Sequence, residues 1–192
     1  YKNNQEVSVF LQNVIITNTK YYSISDAFRS LVSVDTLAAG KKVLSLLQTN
    51  SHNDVIRKAA ISYYGSVISD SNYDKLKNLC LYGGTTWDAR PEAVYQLSKY
   101  VKTKPEVLKT FIDLLEDPSR SVRKNCIRVL GKYGSKEHFG YLDEVLYNDP
   151  ILSRDIRLAK KTINKEKNRM KDKNDEVEKL NLKFEEIRKI IN

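Results

Sequence analysis

Apolar residues recur at helical spacing along most of the chain. Val107, Leu108, Phe111, Ile112, Leu114 and Leu115 form one stripe, and Val122, Cys126, Ile127, Val129 and Leu130 form the next. Spacing of three and four places such residues on one face of an α-helix. Helix start signals fall between the stripes. Asp117-Pro118 and Asp149-Pro150 each offer an N-cap followed by proline at the first helical position. Thr103-Lys104-Pro105-Glu106 reads as a capping box, and Asp88 as the cap of a helix with Pro91 in its first turn. The pattern predicts paired helices over 36–49 and 53–68, 72–82 and 88–101, 105–116 and 118–132, and 136–147 and 150–170. A partial pair, 5–17 and 21–33, opens the chain. Val7 to Ile16 is β-branched enough for a strand, but no partner strand is visible, so a helix is expected there.

The pairs repeat. Arg57, Arg90, Arg123 and Arg157 are separated by 33, 33 and 34 residues. Superposed on these arginines, the frames share a small residue three positions on (Ala60, Ala93, Cys126). Seven positions on lie Tyr64, Leu97 and Leu130, and eight positions on lie Gly65, Ser98 and Gly131. A period in this range marks stacked supersecondary units, and small residues suit close helix crossings. The frames resemble those of the HEAT-repeat family: Asp or Asn before the second helix, then Val-Arg, Ala and Leu-Gly. The run from Leu115 through Val122-Arg123 to Leu130-Gly131 is the best match. The resemblance covers about residues 20–165 and implies an all-α, right-handed solenoid of four to five helix hairpins. The repeats are expected near 1–34, 35–68, 71–101, 104–132 and 135–170, with a terminal helix over 171–192. The end repeats depart from the pattern: Ser25 stands where arginine is expected, and no glycine follows Arg157. The repeat style is also similar to the C-terminal region of some prokaryotic gluzincin-type zinc aminopeptidases. That likeness, with a chain that starts at Tyr1, implies a piece of a larger protein.

Composition narrows the function classes. The content is 41% hydrophobic and 30% charged, with no apolar stretch near the roughly 18 residues a membrane span needs. Cys80 and Cys126 lie in apolar helical stripes and read as buried free thiols, which fits a reducing, cytoplasmic setting. His52 and His138 lack a partner histidine at helical spacing, so a His-Glu-x-x-His zinc site cannot be built from them. Gly83-Gly84-Thr85-Thr86 lacks the lysine of a phosphate loop and reads as a turn. No catalytic, metal or cofactor residues are assigned.

The net charge is +9, of which +6 falls in residues 154–173: nine Lys or Arg against three acids. The repeat arginines have a structural reading and a functional one. They brace neighbouring units by bonding Asn53 or Asp54, Asp88, Asp117, Asp149 or a carbonyl, or they form a phosphate-binding row. Sharing a frame with core positions favours bracing. Lys124, Arg128 and Lys132 follow one helix face, with Lys99 equivalent to Lys132; Arg157, Lys161 and Lys165 make a similar row. These rows read as a solvated face or as a binding surface on the concave side. HEAT-like DNA glycosylases bind DNA with such a surface. Tyr63, Tyr64, Tyr95, Tyr100, Tyr141 and Tyr147 lie at or beside core positions, so packing is expected for most. Val177, Leu180, Phe184, Ile187 and Ile191 form a short heptad seam that caps the last repeat or pairs with another helix, including a second copy of the chain. The expected role is a non-catalytic scaffold that binds a protein partner or a neighbouring domain. The alternative is a nucleic-acid-binding module with a basic concave face.

Overall fold

A computed structural model describes residues 4–165 and, beyond them, residues 177, 178, 180 and 181. The described residues are helices and turns, with no strand among them. The first helices are α1 (Gln5–Thr17), α2 (Tyr21–Val34), α3 (Thr36–Gln48), α4 (Val55–Ser66) and α5 (Asp70–Cys80). Then come α6 (Arg90–Leu97), α7 (Val107–Asp113), α8 (Arg120–Tyr133) and α9 (Phe139–Asn148). A tenth, α10, covers 153–165. The β-branched segment Val7 to Ile16 is helical, as expected, started by Asn4, whose side chain accepts the Val7 N–H at 3.0 Å. No described helix is long and apolar enough to cross a membrane.

Contacts divide the chain into two compact units, Tyr1–Val129 and Leu130–Asn192. In the first, α1 packs on α2, α3 on α4 and α5 on α6, so consecutive helices pair. The second members also pack on one another, α2 on α4 and α4 on α6. Between them lie Phe28, Leu31, Ile56, Ala60, Ile61, Tyr64, Ala93, Val94 and Leu97, all essentially inaccessible to solvent. In the second unit, Leu142, Val145, Leu152, Ile156, Ala159 and Ile163 are buried.

Small residues set the closest helix approaches. A Cβ on Gly131 would lie 2.8 Å from the Cα of Ala159, a backbone atom that cannot turn aside. A Cβ on Gly65 would lie 2.2 Å from Gln96 Oε1 and 2.8 Å from Gln96 Cβ. The glycines eight positions after the repeat arginines therefore serve tight helix crossings.

Several helix ends differ from expectation. Glu106 is the N-cap of α7 and makes no side-chain cap. The Thr103 hydroxyl bonds backwards to the Tyr100 carbonyl at 3.1 Å, so the expected capping box does not form. Asp88 does not cap α6, because the turn from Thr86 leads directly into that helix, with the Ala89 and Arg90 N–H groups donating to the Thr86 carbonyl. Short 3-10 turns occupy the ends that the pattern read as α-helix: Ser98–Tyr100, Leu114–Glu116, Lys136–His138 and Pro150–Leu152.

Asp35 joins two helices. Its carboxylate accepts the Ala38 N–H at the start of α3 (2.9 Å) and the Ser8 hydroxyl of α1 (2.7 Å). These bonds, the Ala38 one foremost, hold its pKa below the usual 3.8. A lowered folded-state pKa stabilises the fold above the unfolded value, and that stabilisation is lost as pH falls through the folded value. Asp35→Ala is therefore expected to melt earlier than the parent at pH 7. In paired thermal melts the gap should narrow at acid pH. A gap that stays constant down to acid pH would remove the ionised carboxylate from the account.

Candidate functional site

The repeat arginines are positioned by the helix pairs. Each enters its second helix within the first turns, where its side chain can reach back along the preceding helix. Arg57 Nε donates to the Leu47 carbonyl in the last turn of α3 (2.8 Å). Arg90 donates to the carbonyl of Cys80, the last residue of α5, from Nε at 3.2 Å and Nη2 at 3.1 Å. Both acceptors are carbonyls that a helix end leaves without an internal partner, and a cation there also opposes the helix dipole.

The same guanidinium groups reach the next pair. Arg57 Nη1 donates to Asp54 Oδ1 (2.5 Å) and to Thr86 Oγ1 (3.1 Å), and the Thr86 hydroxyl donates to Asp54 Oδ2 (2.5 Å). Arg90 Nη2 pairs with Asp117, and Asp117 also receives the Ser119 N–H at 2.8 Å. Arg123 donates to the Asp117 carbonyl. Asp54 itself adopts a left-handed conformation (φ 53°), as does Asn53 (φ 51°). Asp and Asn tolerate that region better than most residues. Asp54 thus faces Arg57 and Thr86 rather than capping α4, and the Ser51 hydroxyl receives the Ile56 N–H instead (3.1 Å). Arg90 is almost fully buried and Arg57 largely so, Arg123 is half-buried, and Arg157 is exposed. Arg157 therefore departs from the others, in the repeat that also lacks the following glycine.

A separate surface runs along the second helices of the first unit, α2, α4, α6 and the first part of α8. Two open hollows lie along it. One, between α2, α4 and α6, holds about 530 Å3; its wall includes Arg29, Ser33, Ser62, Ser66, Gln96 and Lys99. The next holds about 500 Å3; its wall includes Lys58, Trp87, Asp88, Glu92, Tyr95 and Arg128. Trp87, the only tryptophan of the chain, is 52% exposed and Tyr95 is 55% exposed. Tyr95 lies beside Lys99, whose Nζ is 5.9 Å from the ring centre. Glu92 receives the Gln96 side-chain N–H at 2.6 Å where the two hollows adjoin. Lys99 reaches solvent, yet burial is the main influence on its ammonium and lowers its pKa; Glu92 raises it and Arg29 lowers it.

Lys99 and Arg128 line these hollows, whereas the other candidate cations do not. Lys124 is half-buried on α8, and Lys132 is exposed with its Nζ 4.9 Å from the Tyr133 ring centre. Lys161 and Lys165 are exposed on α10. Of the seam, Val177 and Leu180 are exposed, while Phe184, Ile187 and Ile191 lie outside the described residues.

The tyrosines need correction. Tyr64 and Tyr100 are buried, and the Tyr100 hydroxyl donates to the Tyr64 carbonyl at 2.8 Å. Tyr95, Tyr141 and Tyr147 are exposed instead, because a position beside a buried stripe turns roughly 100° away from it. Arg29, Lys58, Ser62 and Trp87 are wall residues that composition and motif reading missed. A signal existed: Arg29, Ser62, Tyr95 and Arg128 recur every 33 residues, as do Ser33, Ser66, Lys99 and Lys132.

Reactive groups are muted. The Cys80 and Cys126 thiols are buried, and burial pushes both well above their ordinary range. His138 bonds around Ser135 at a turn, and His52 is exposed in another. No group of three or more His, Cys, Asp or Glu that could hold a metal occurs among the described residues. Comparison with family models, curated proteins and solved structures gives no match.

Proposed function

We propose that this chain is a HEAT-type helical scaffold that binds an extended segment of a partner protein along its second helices. The observation that carries the reading is the pair of adjoining hollows, with Trp87 and Tyr95 exposed between charges of both signs. Exposed aromatic rings at a concave, mixed-charge surface are the residue types that anchor protein partners. The stacking of α2, α4 and α6 and the arginine braces between pairs support the solenoid form. The repeat style further supports a non-catalytic domain of a larger zinc aminopeptidase. The reading frame upstream of Tyr1 tests that parentage: a His-Glu-x-x-His followed by a distant glutamate is expected there.

Nucleic acid is the competing ligand, favoured by the net charge of +9 and the exposed Lys132, Lys161 and Lys165. Asp88 and Glu92 in the second hollow oppose a polyanion. Peptides selected from a random display library against the whole chain should lose about tenfold or more in affinity when Trp87→Ala is introduced. The melting temperature should barely move, since the ring is half exposed. Selected peptides indifferent to both Trp87→Ala and Tyr95→Ala would move binding off this face. A steeply salt-dependent mobility shift with oligonucleotide would favour the competing ligand.

A further inference from the structure

We infer that the hollow between α2, α4 and α6 receives the phosphate of a phosphorylated serine or threonine in the bound partner segment. This rests on the protein-binding reading and names the chemistry of its ligand.

Two cations wall the hollow, Arg29 from α2 and Lys99 from just beyond α6, and no carboxylate is among its lining residues. The rest of the wall is rich in small hydroxyl groups: Ser33, Thr36, Ser62 and Ser66. Arg29 Nη1 already donates to the Ser62 hydroxyl at 3.2 Å, which fixes the guanidinium at the rim. The Ser62 and Ser66 hydroxyls donate to helix carbonyls, at 2.7 and 2.9 Å. The Ser62 oxygen accepts from Arg29, while the remaining guanidinium and ammonium N–H groups supply donors for a ligand. Burial is the main cause that lowers the pKa of Lys99, with Glu92 opposing it and Arg29 adding a smaller like-charge contribution. A ligand with close to two negative charges neutralises both cations at once, and a guanidinium fork suits phosphate oxygens.

The neighbouring hollow decides between sources of phosphate. A nucleic-acid backbone presents a phosphate at every step and would bring the next ones against Asp88 and Glu92. A peptide carries one phosphate and can offer an aromatic or basic side chain to the adjoining wall, where Trp87, Tyr95 and those carboxylates suit it. The charge pattern along the face is thus cation-only, then mixed, which matches a singly phosphorylated segment and not a polyanion.

The test uses the whole chain and a peptide library with phosphoserine fixed at the centre and random flanks, alongside the same library unphosphorylated. The phosphorylated library is expected to be retained about tenfold or more above its twin. Arg29→Gln and Lys99→Gln should each remove most of that preference while leaving the melting temperature within a few degrees, because both side chains reach solvent. Equal retention of the two libraries, or a preference untouched by either substitution, overturns the inference. If that retention still depends on Trp87, the protein-binding reading stands without the phosphate. Displacement of the bound peptides by an oligo-dT strand would overturn both.

Discussion

Arg90→Ala is expected to lower the stability of the chain by about 3–5 kcal/mol. The reason is what the substitution leaves behind. Arg90 and its partner Asp117 have side chains only 1% and 3% exposed. Removing the guanidinium strands the Asp117 carboxylate in the interior, with the Ser119 N–H still bonded to its other oxygen. It also strands the Cys80 carbonyl at the end of α5, which Arg90 meets with two N–H groups. Both penalties fall on buried polar groups, so water cannot readily replace the lost partner. For a chain of 192 residues, a loss of this size lowers the melting temperature by on the order of 10 °C.

A lysine at position 90 should not rescue, because an ammonium cannot bond the carbonyl and carboxylate together from a planar fork. A double substitution, Arg90→Met with Asp117→Asn, should recover part of the loss. It removes the buried charge and leaves the amide oxygen to accept the Ser119 N–H. Urea denaturation of the parent, Arg90→Met, Asp117→Asn and the double variant measures the coupling. A loss under about 1 kcal/mol for Arg90→Ala would mean that solvent enters the site and that the brace is dispensable. Arg57 makes the same kind of contact at a side chain 10% exposed, beside an Asp54 that is 12% exposed, so its replacement should cost less.

Much of the helix arrangement was legible because it follows from spacing. The stripes 107–115 and 122–130 contain the buried residues of their elements, and the predicted pairs correspond to the observed helices apart from their ends. The ends were harder because local side-chain chemistry has several outlets. Thr103 caps the preceding turn instead of the next helix, and Asp54 bonds an arginine instead of its own helix start. The Thr103 choice is between two local acceptors, three residues back or a helix start ahead, and the Asp54 arrangement depends on where the next pair puts Thr86, which residue type does not carry. Arginine bonding was legible as a type of contact, but its main carbonyl partners were not. For Arg57 and Arg90 they lie ten residues upstream, at the C-terminal end of the first helix of the same pair, whereas the sequence pattern points to acceptors in the adjacent unit.

The candidate site was half legible. Charge and helical spacing pick out Lys99 and Arg128, but they equally select Lys124, Lys132, Lys161 and Lys165. The hollows depend on which residues at the same repeat position face each other across α2, α4 and α6. Carrying the 33-residue period through every position, polar ones included, brings Arg29, Ser62, Tyr95 and Arg128 into one row. Serine at one of those positions and tyrosine at another explain why no motif stood out: the wall is made open by small side chains as much as it is made basic by large ones.

The other large effect is expected at Phe111, where replacement by alanine should cost about 3–5 kcal/mol. Phe111 is wholly buried on α7, a helix of only 7 residues. A free helix that short is not stable in water, since isolated helices need roughly 12–15 residues to be even marginal. Its helicity therefore comes from the burial of Val107 and Phe111, extended by Leu114 and Leu115 in the following 3-10 turn. No side-chain cap helps at its start, and Glu106 enters it already in a helical conformation. Truncating the ring removes most of the anchoring surface and leaves a cavity that this short segment is poorly placed to fill. The loss should then be local as well as global. Amide exchange over residues 107–116 should approach that of an unfolded segment, while amides in α4, buried by both α2 and α6, stay protected. Exchange that rises uniformly through both helices would instead show that α7 opens only when the whole unit does, and that the short helix is held by contacts other than its ring.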